Sequence, residues 1–176
     1  KQAGAVARRV FGRDYKRQEK GVNDIVTEVD FKSQALIEKV LAKAFPSYSF
    51  LGEESVSKQS AEKGFQWIVD PLDGTANYAM RLPWYGVSIA LAENAKPVVG
   101  VIYKPVENEL FAAAEGKGAF LNGKRISTSG KKDLEHAFVL FEYAYANREQ
   151  KVEFLKSLIN KAIDIRNFGS AIYDLL

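Results

Sequence analysis

From residue 84 to residue 126 the chain runs as short apolar segments separated by turn-forming residues. No other feature restricts its fold as strongly. Residues 85–92 and 97–103 read as neighbouring strands with Asn94-Ala95-Lys96 as the turn between them, and residues 110–114 and 119–121 follow. Asn122-Gly123 is a strong signal for a tight hairpin turn. Ahead of this block, Phe31, Ala35, Leu36, Val40, Leu41 and Ala44 mark one face of an amphipathic helix over residues 30–45, which Pro46 stops. Residues 49–51 and 65–69 are short strands, residues 12–24 a polar segment and residues 56–64 a loop. Residues 138–141 and 163–165 read as strands, and residues 148–161 have helical spacing through Val152, Leu155, Leu158 and Ile159. Helices first, then strands, then a helix predicts an α+β layered fold rather than a regular βαβ alternation.

No repeat, low-complexity segment or linker divides the chain, so residues 1–176 are expected to form one domain. Residues 1–9 read as the end of a helix, and Gly169 opens another that is barely entered by Leu176. The domain is therefore expected to be incomplete at both ends. The net charge is only +3, unlike the basic stripe of a nucleic-acid binder, and no direct nucleic-acid binding is expected. No apolar run approaches the roughly 20 residues that span a bilayer, and residues 1–9 lack a signal-peptide layout, so the expected location is cytoplasmic. Cysteine is absent and His136 is the single histidine, which excludes disulfides, thiolate sites and multi-histidine zinc sites. A bound metal would have to be held by oxygen, which points to Mg²⁺, Mn²⁺ or Ca²⁺.

The strand at residues 65–69 ends in Asp70-Pro71-Leu72-Asp73-Gly74-Thr75. Two carboxylates crowded at a strand end repel each other unless a cation lies between them. Pro71 fixes the turn, so both carboxylates and the Leu72 carbonyl can face one point, a set of oxygens that suits a hard divalent cation. Gly74 permits close backbone approach, and N–H groups at a helix start here could hold a phosphate. A solvated turn with Gly74 as its left-handed residue would use the same letters. Glu53-Glu54 after Gly52 forms a second acidic pair at a strand end, which could equally be a solvated loop. In the stretch from Asp24 to Asp30, either Asp30 or Thr27 could cap the following helix, which leaves the other unassigned.

Together these segments resemble the inositol monophosphatase family, within the magnesium-dependent, lithium-sensitive phosphatases. The matching residues run from Lys20 to Asp30, then Phe45-Pro46, Gly52-Glu53-Glu54-Ser55, Trp67 to Asn77, Pro83 and Val87-Ser88-Ile89-Ala90. Gly116 to Gly123, Arg166 and Gly169-Ser170-Ala171 complete the set, so the resemblance covers essentially the whole chain. It implies a layered α-β-α-β-α sugar-phosphatase fold, of which this chain holds the N-terminal α/β layers and the start of the second half.

The resemblance implies that Glu53, Asp70, Asp73 and the Leu72 carbonyl are metal ligands. Glu53 and Asp70 would hold the water-activating metal, and Asp70 and Asp73 its neighbour. Asp30 and Thr75 would position and deprotonate the attacking water. The Gly74 and Thr75 N–H groups would bind phosphate, Gly169, Ser170 and Ala171 would line the alcohol side, and Glu54 would stand behind the ligands. Mg²⁺ is the implied cofactor, with Mn²⁺ as a substitute and Ca²⁺ and Li⁺ as inhibitors, and the implied assembly is a homodimer. The implied reaction is hydrolysis of a small phosphomonoester, inositol 1-phosphate first. Fructose 1,6-bisphosphatase, histidinol-phosphatase and 3′-phosphonucleotidase activities remain open, as does a non-catalytic protein-binding role in transcription and ribosomal RNA maturation. Family members run longer and carry a later Trp-Asp motif with a further ligating aspartate. Neither Trp67 nor Trp84 precedes an aspartate here, and Asp174 is not assigned to that role. Trp84, Tyr85, Tyr143 and Tyr145 are expected in packing or at interfaces.

Overall fold

The computed structural model describes residues 1–21, 24–55, 63–141 and 148–176. Helix α1 (Gln2–Val10) precedes strands β1 (Arg17–Gly21) and β2 (Asp24–Thr27), and helix α2 (Glu28–Ala44) follows. Next come β3 (Ser49–Gly52), β4 (Phe65–Asp73), the short helix α3 (Thr75–Ala79), β5 (Gly86–Glu93), β6 (Lys96–Lys104) and β7 (Glu109–Ala114). The chain continues through β8 (Gly118–Leu121), β9 (Lys124–Ile126), β10 (Phe138–Leu140), α4 (Arg148–Ile159), β11 (Asp164–Arg166) and α5 (Ala171–Leu175).

Strands β3 to β9 form one seven-stranded sheet in sequence order. β3 runs parallel to β4, and every later pair is antiparallel. The turns foreseen at Asn94-Ala95 and Asn122-Gly123 are present, with all four residues at positive φ, as tight hairpin turns that follow strand twist require. β9 extends the expected hairpin by one short strand. The polar segment expected over residues 12–24 instead contains strand β1 and reaches the first residue of β2, and the two pair antiparallel from Arg17↔Thr27 onward. Backbone hydrogen bonds hold this ribbon together, and they leave no hydrophobic alternation to read.

Helix α2 begins two residues earlier than its apolar face suggests. Thr27 is the N-cap: its Oγ1 accepts from the Val29 N–H at 3.2 Å, while the Thr27 N–H donates to Asp30 Oδ2 at 2.8 Å. Thr27 and Asp30 thus form a reciprocal capping box. The helix ends at Ala44 with Phe45 as its cap, one residue before Pro46.

α1 and α2 cover one face of the sheet. Ala3 and Ile37 pack with Val69 and Val87, and a second cluster joins Ala7, Val29, Leu72, Tyr78 and Tyr85. Leu72 is 1% exposed, so the residue between Asp70 and Asp73 is anchored in the core. Full burial of a side chain such as Leu72 or Val29 contributes about 1.5–3 kcal/mol each. The opposite face carries Ile68, Ala90, Gly100, Ala113, Ala119 and Ile126 in one cross-strand row, and Ile68 and Ile126 at its ends are exposed.

β10 and β11 form a separate parallel pair, and Phe138 of β10 and Phe154 of α4 are exposed. Tyr85 is fully buried, as expected, whereas Tyr143, Tyr145 and residues 56–62 of the expected loop lie outside the described residues. Among the described residues no helix is long and apolar enough to cross a membrane.

Candidate active site

β4 does not stop at the proline. Pro71 has no N–H to give the ladder, and the pairing with β5 shifts register between Asp70 and Asp73. The chain then turns at Gly74 (φ 79°) into α3. A Cβ at Gly74 would lie 2.5 Å from the Trp84 carbonyl oxygen and 3.2 Å from Ser170 Cβ, so only glycine fits.

A cavity of about 440 Å³ opens at this bend. Its lining includes Glu53, Asp70, Leu72, Asp73, Gly74, Thr75, Gly169, Ser170 and Ala171, which brings together the ligands and substrate-side residues expected from the sequence. Asp30 stands behind this wall, 2% exposed. Thr75 Oγ1 lies 3.0 Å from Asp30 Oδ1 and 2.8 Å from the Leu72 carbonyl oxygen. With one proton, this hydroxyl donates to one of the two at a time. The Asp30 carboxylate is thus divided: Oδ2 accepts from the Thr27 N–H and, at 2.5 Å, from the Thr27 hydroxyl, while Oδ1 faces Thr75. Burial pushes its pKa up, the bonds from Thr27 and Thr75 counter that, and the charge of Glu54 adds to the rise.

Asp70 is more strongly perturbed than Asp30 or Asp73. Burial, then the charges of Glu53 and Asp73, push its pKa up to about 8, although the Leu72 N–H donates to its Oδ1 at 3.0 Å. Asp73 is raised mainly by burial, against which Ser170 Oγ and the Ile172 and Ala171 N–H groups all donate to it. Asp73 therefore leans toward the start of α5. Among the described residues, no three acidic side chains close on a single point. The donor set nonetheless fits a hard cation: four carboxyl side chains, Glu53, Asp70, Asp73 and Asp174, line the cavity, and among the described residues no lysine, arginine or histidine does. Glu53, Asp70, the Leu72 carbonyl and Asp73 are the groups that could hold it.

Other residues that shape the site carry no sequence signal. Asp174 lines the cavity, but its Oδ1 accepts from the Phe168 N–H at 3.1 Å, which ties down the preceding loop. Gln34, buried on α2, accepts from the Glu54 N–H at 2.9 Å and lies 3.4 Å from Ser55 Oγ, so it grips the turn that presents Glu53. Glu54 itself does not line the cavity. His136 is exposed and paired with Asp133 at 2.5 Å, away from the site. Trp84 packs edge-on against Phe168, 5.4 Å between ring centroids, and also stays out of the cavity.

The chain thus combines an α+β layered fold with an acidic cavity at a bulged strand end, a donor set of the kind that suits a hard cation. This chain belongs to the inositol monophosphatase family, whose model matches residues 1–176. It is 37% identical over 160 residues to Nus factor SuhB of Escherichia coli strain K12, covering 89% of this chain and 60% of that protein. It is 40% identical over 183 aligned positions to inositol monophosphatase 2 of Solanum lycopersicum, covering 99% of this chain and 69% of that protein. The crystal structure of the extragenic suppressor protein suhB from Bartonella henselae superposes with a TM-score of 0.92 at 35% identity, covering 99% of this chain and 69% of that one. The chain thus spans 60% of the length of the first of these curated relatives.

Proposed function

We propose that this protein hydrolyses a small phosphate monoester, inositol 1-phosphate, to the alcohol and inorganic phosphate, using water activated by Mg²⁺. The observation that carries the reading is the cavity itself, where the carboxyl groups of Glu53, Asp70, Asp73 and Asp174 line one space beside the Thr75–Asp30 pair. Bound divalent cations would supply positive charge among these carboxylates, lower the pKa of water and stabilise the leaving oxygen. Glu53, Asp70, Asp73 and the Leu72 carbonyl would hold them.

The remaining steps belong to the protein. Thr75 Oγ1, 3.0 Å from Asp30 Oδ1, orients the attacking water and passes its proton toward that oxygen. The N–H groups of Gly74 and Thr75 hold the phosphate, and Gly169, Ser170 and Ala171 face the alcohol. Uncatalysed phosphate monoesters hydrolyse extremely slowly, so both water activation and charge neutralisation are required. No covalent intermediate is needed. We place the protein in the cytoplasm as a homodimer.

Phosphate release from inositol 1-phosphate, fructose 1,6-bisphosphate and a 3′-phosphonucleotide, measured with Mg²⁺ and with EDTA, tests the reading. Mg²⁺-dependent release that Asp73→Asn abolishes supports it, and the preferred substrate sets the subclass. No release from folded, full-length protein overturns it. The likeness to Nus factor SuhB motivates a second reading, a protein contact independent of hydrolysis. Asp73→Asn would leave such a contact intact.

A further inference from the structure

Asn77 is buried, 8% exposed, at the centre of α3, and no step of the proposed reaction uses it. Its side-chain nitrogen lies 2.7 Å from the Phe168 carbonyl oxygen, 2.9 Å from the Trp84 carbonyl oxygen and 3.2 Å from the Gly169 carbonyl oxygen. Three carbonyls can only accept, so the group facing them must be the amide NH₂. Its two hydrogens serve the two shorter contacts, with the Gly169 carbonyl sharing one of them. A single amide thus ties together segments more than 80 residues apart: the helix after the Gly74–Thr75 turn, the entry to β5, and the loop running into Gly169, Ser170 and Ala171.

Asp73 also reaches that loop, through Ser170 Oγ and the Ala171 and Ile172 N–H groups. Asp73 is a candidate metal ligand, however, so it is not free to serve the loop alone. Asn77 has no competing duty. We infer that Asn77 is a positioning residue that holds the Gly169–Ala171 wall at a set distance from the phosphate-binding turn, and so sets how well the alcohol portion of the substrate is gripped. This assignment rests on the proposed phosphomonoesterase reading. Asp73 keeps its own bonds to Ser170, Ala171 and Ile172, so loss of the Asn77 amide is expected to act on the Phe168–Gly169 approach to the wall rather than on the phosphate-binding turn.

The test compares wild-type and Asn77→Ala full-length protein on inositol 1-phosphate, with inorganic phosphate as a competitive inhibitor and Mg²⁺ binding measured by calorimetry. We expect KM to rise about tenfold, the equivalent of one lost hydrogen bond of ordinary strength, with kcat, phosphate inhibition and Mg²⁺ affinity little changed. A phosphate inhibition constant that rises in step with KM, or a kcat loss at unchanged KM, overturns the assignment. If Asn77→Ala does not fold, Asn77→Asp decides: protonated, it donates one bond, so its KM defect relative to wild type should deepen as pH rises, and a pH-independent defect refutes the role. Amide hydrogen exchange over residues 168–171 reads the wall without any turnover. Faster exchange in the folded variant supports the inference, and unchanged exchange sinks it, even if wild-type protein turned over no phosphomonoester and the reading beneath it failed.

Discussion

Two glycines in the left-handed region allow a controlled test of how tightly the cavity is built. Gly74 has φ 79° and Gly116 has φ 69°. A Cβ at Gly116 would meet nothing within 4 Å, whereas at Gly74 it would lie 2.5 Å from the Trp84 backbone oxygen. Gly→Ala at either site costs about 1–2 kcal/mol for the left-handed conformation. Either also gains about 0.4–1 kcal/mol from restricting the unfolded chain. Gly116→Ala should therefore destabilise by about 1 kcal/mol. Gly74→Ala carries the same cost plus a clash between two backbones, neither of which can swing aside like a side-chain tip. Overpacking of that kind adds about 1–3 kcal/mol. Displacing the Trp84 carbonyl also weakens its bond from Asn77, worth about 1 kcal/mol. The expected loss is therefore about 3–5 kcal/mol at Gly74. Urea unfolding followed by circular dichroism measures both variants. With a slope of about 2 kcal/mol per molar, their midpoints should differ by about 1–2 M. Equal midpoints would mean that the bend after Asp73 is not packed against Trp84 as described.

Gln34→Leu should destabilise by about 1–3 kcal/mol, since it leaves the Glu54 N–H without its acceptor, and calorimetry should show weaker Mg²⁺ binding because the Glu53 turn loosens. Unchanged Mg²⁺ affinity would show that the turn holds itself. Asp70 gives a pH dependence with a definite sign. Its carboxyl holds a proton up to about 8 in the folded protein and loses it near 4 when unfolded, so the folded state binds more protons between those values. In EDTA, stability should fall as pH rises from about 5 to about 8, by up to about 1.4 kcal/mol per unit for one proton, and Mg²⁺ should flatten the slope. Chelated protein with stability independent of pH over that range would contradict the crowding described around Asp70.

The two halves of the site differed in how far the sequence revealed them. Asp70, Pro71, Asp73, Gly74 and Thr75 lie within one hexapeptide, so local chemistry announces that they share a bend. The strand before them and the β-rich block after them are legible for the same reason, since apolar runs and turn dipeptides act over a few residues. β1 escaped because an exposed strand paired through its backbone needs no apolar alternation, and β2 because its four residues are too few to show a pattern. The capping box was half-read: Thr27 and Asp30 looked like rivals for one role, yet each satisfies the other. Gln34 and Asn77 were invisible. Their partners lie 20 and 91 residues away, and a buried amide is recognised only from what surrounds it.

The division of labour within the Asp30 carboxylate has a consequence for heat. One oxygen closes the first turn of α2 and the other faces Thr75, so the proposed proton acceptor sits at a helix end, the part of a helix that frays first. Warming should uncouple Asp30 from Thr75 while the seven-stranded sheet is still intact. The temperature at which turnover declines would then report the melting of a single helical turn, and would lie below the temperature at which the domain unfolds.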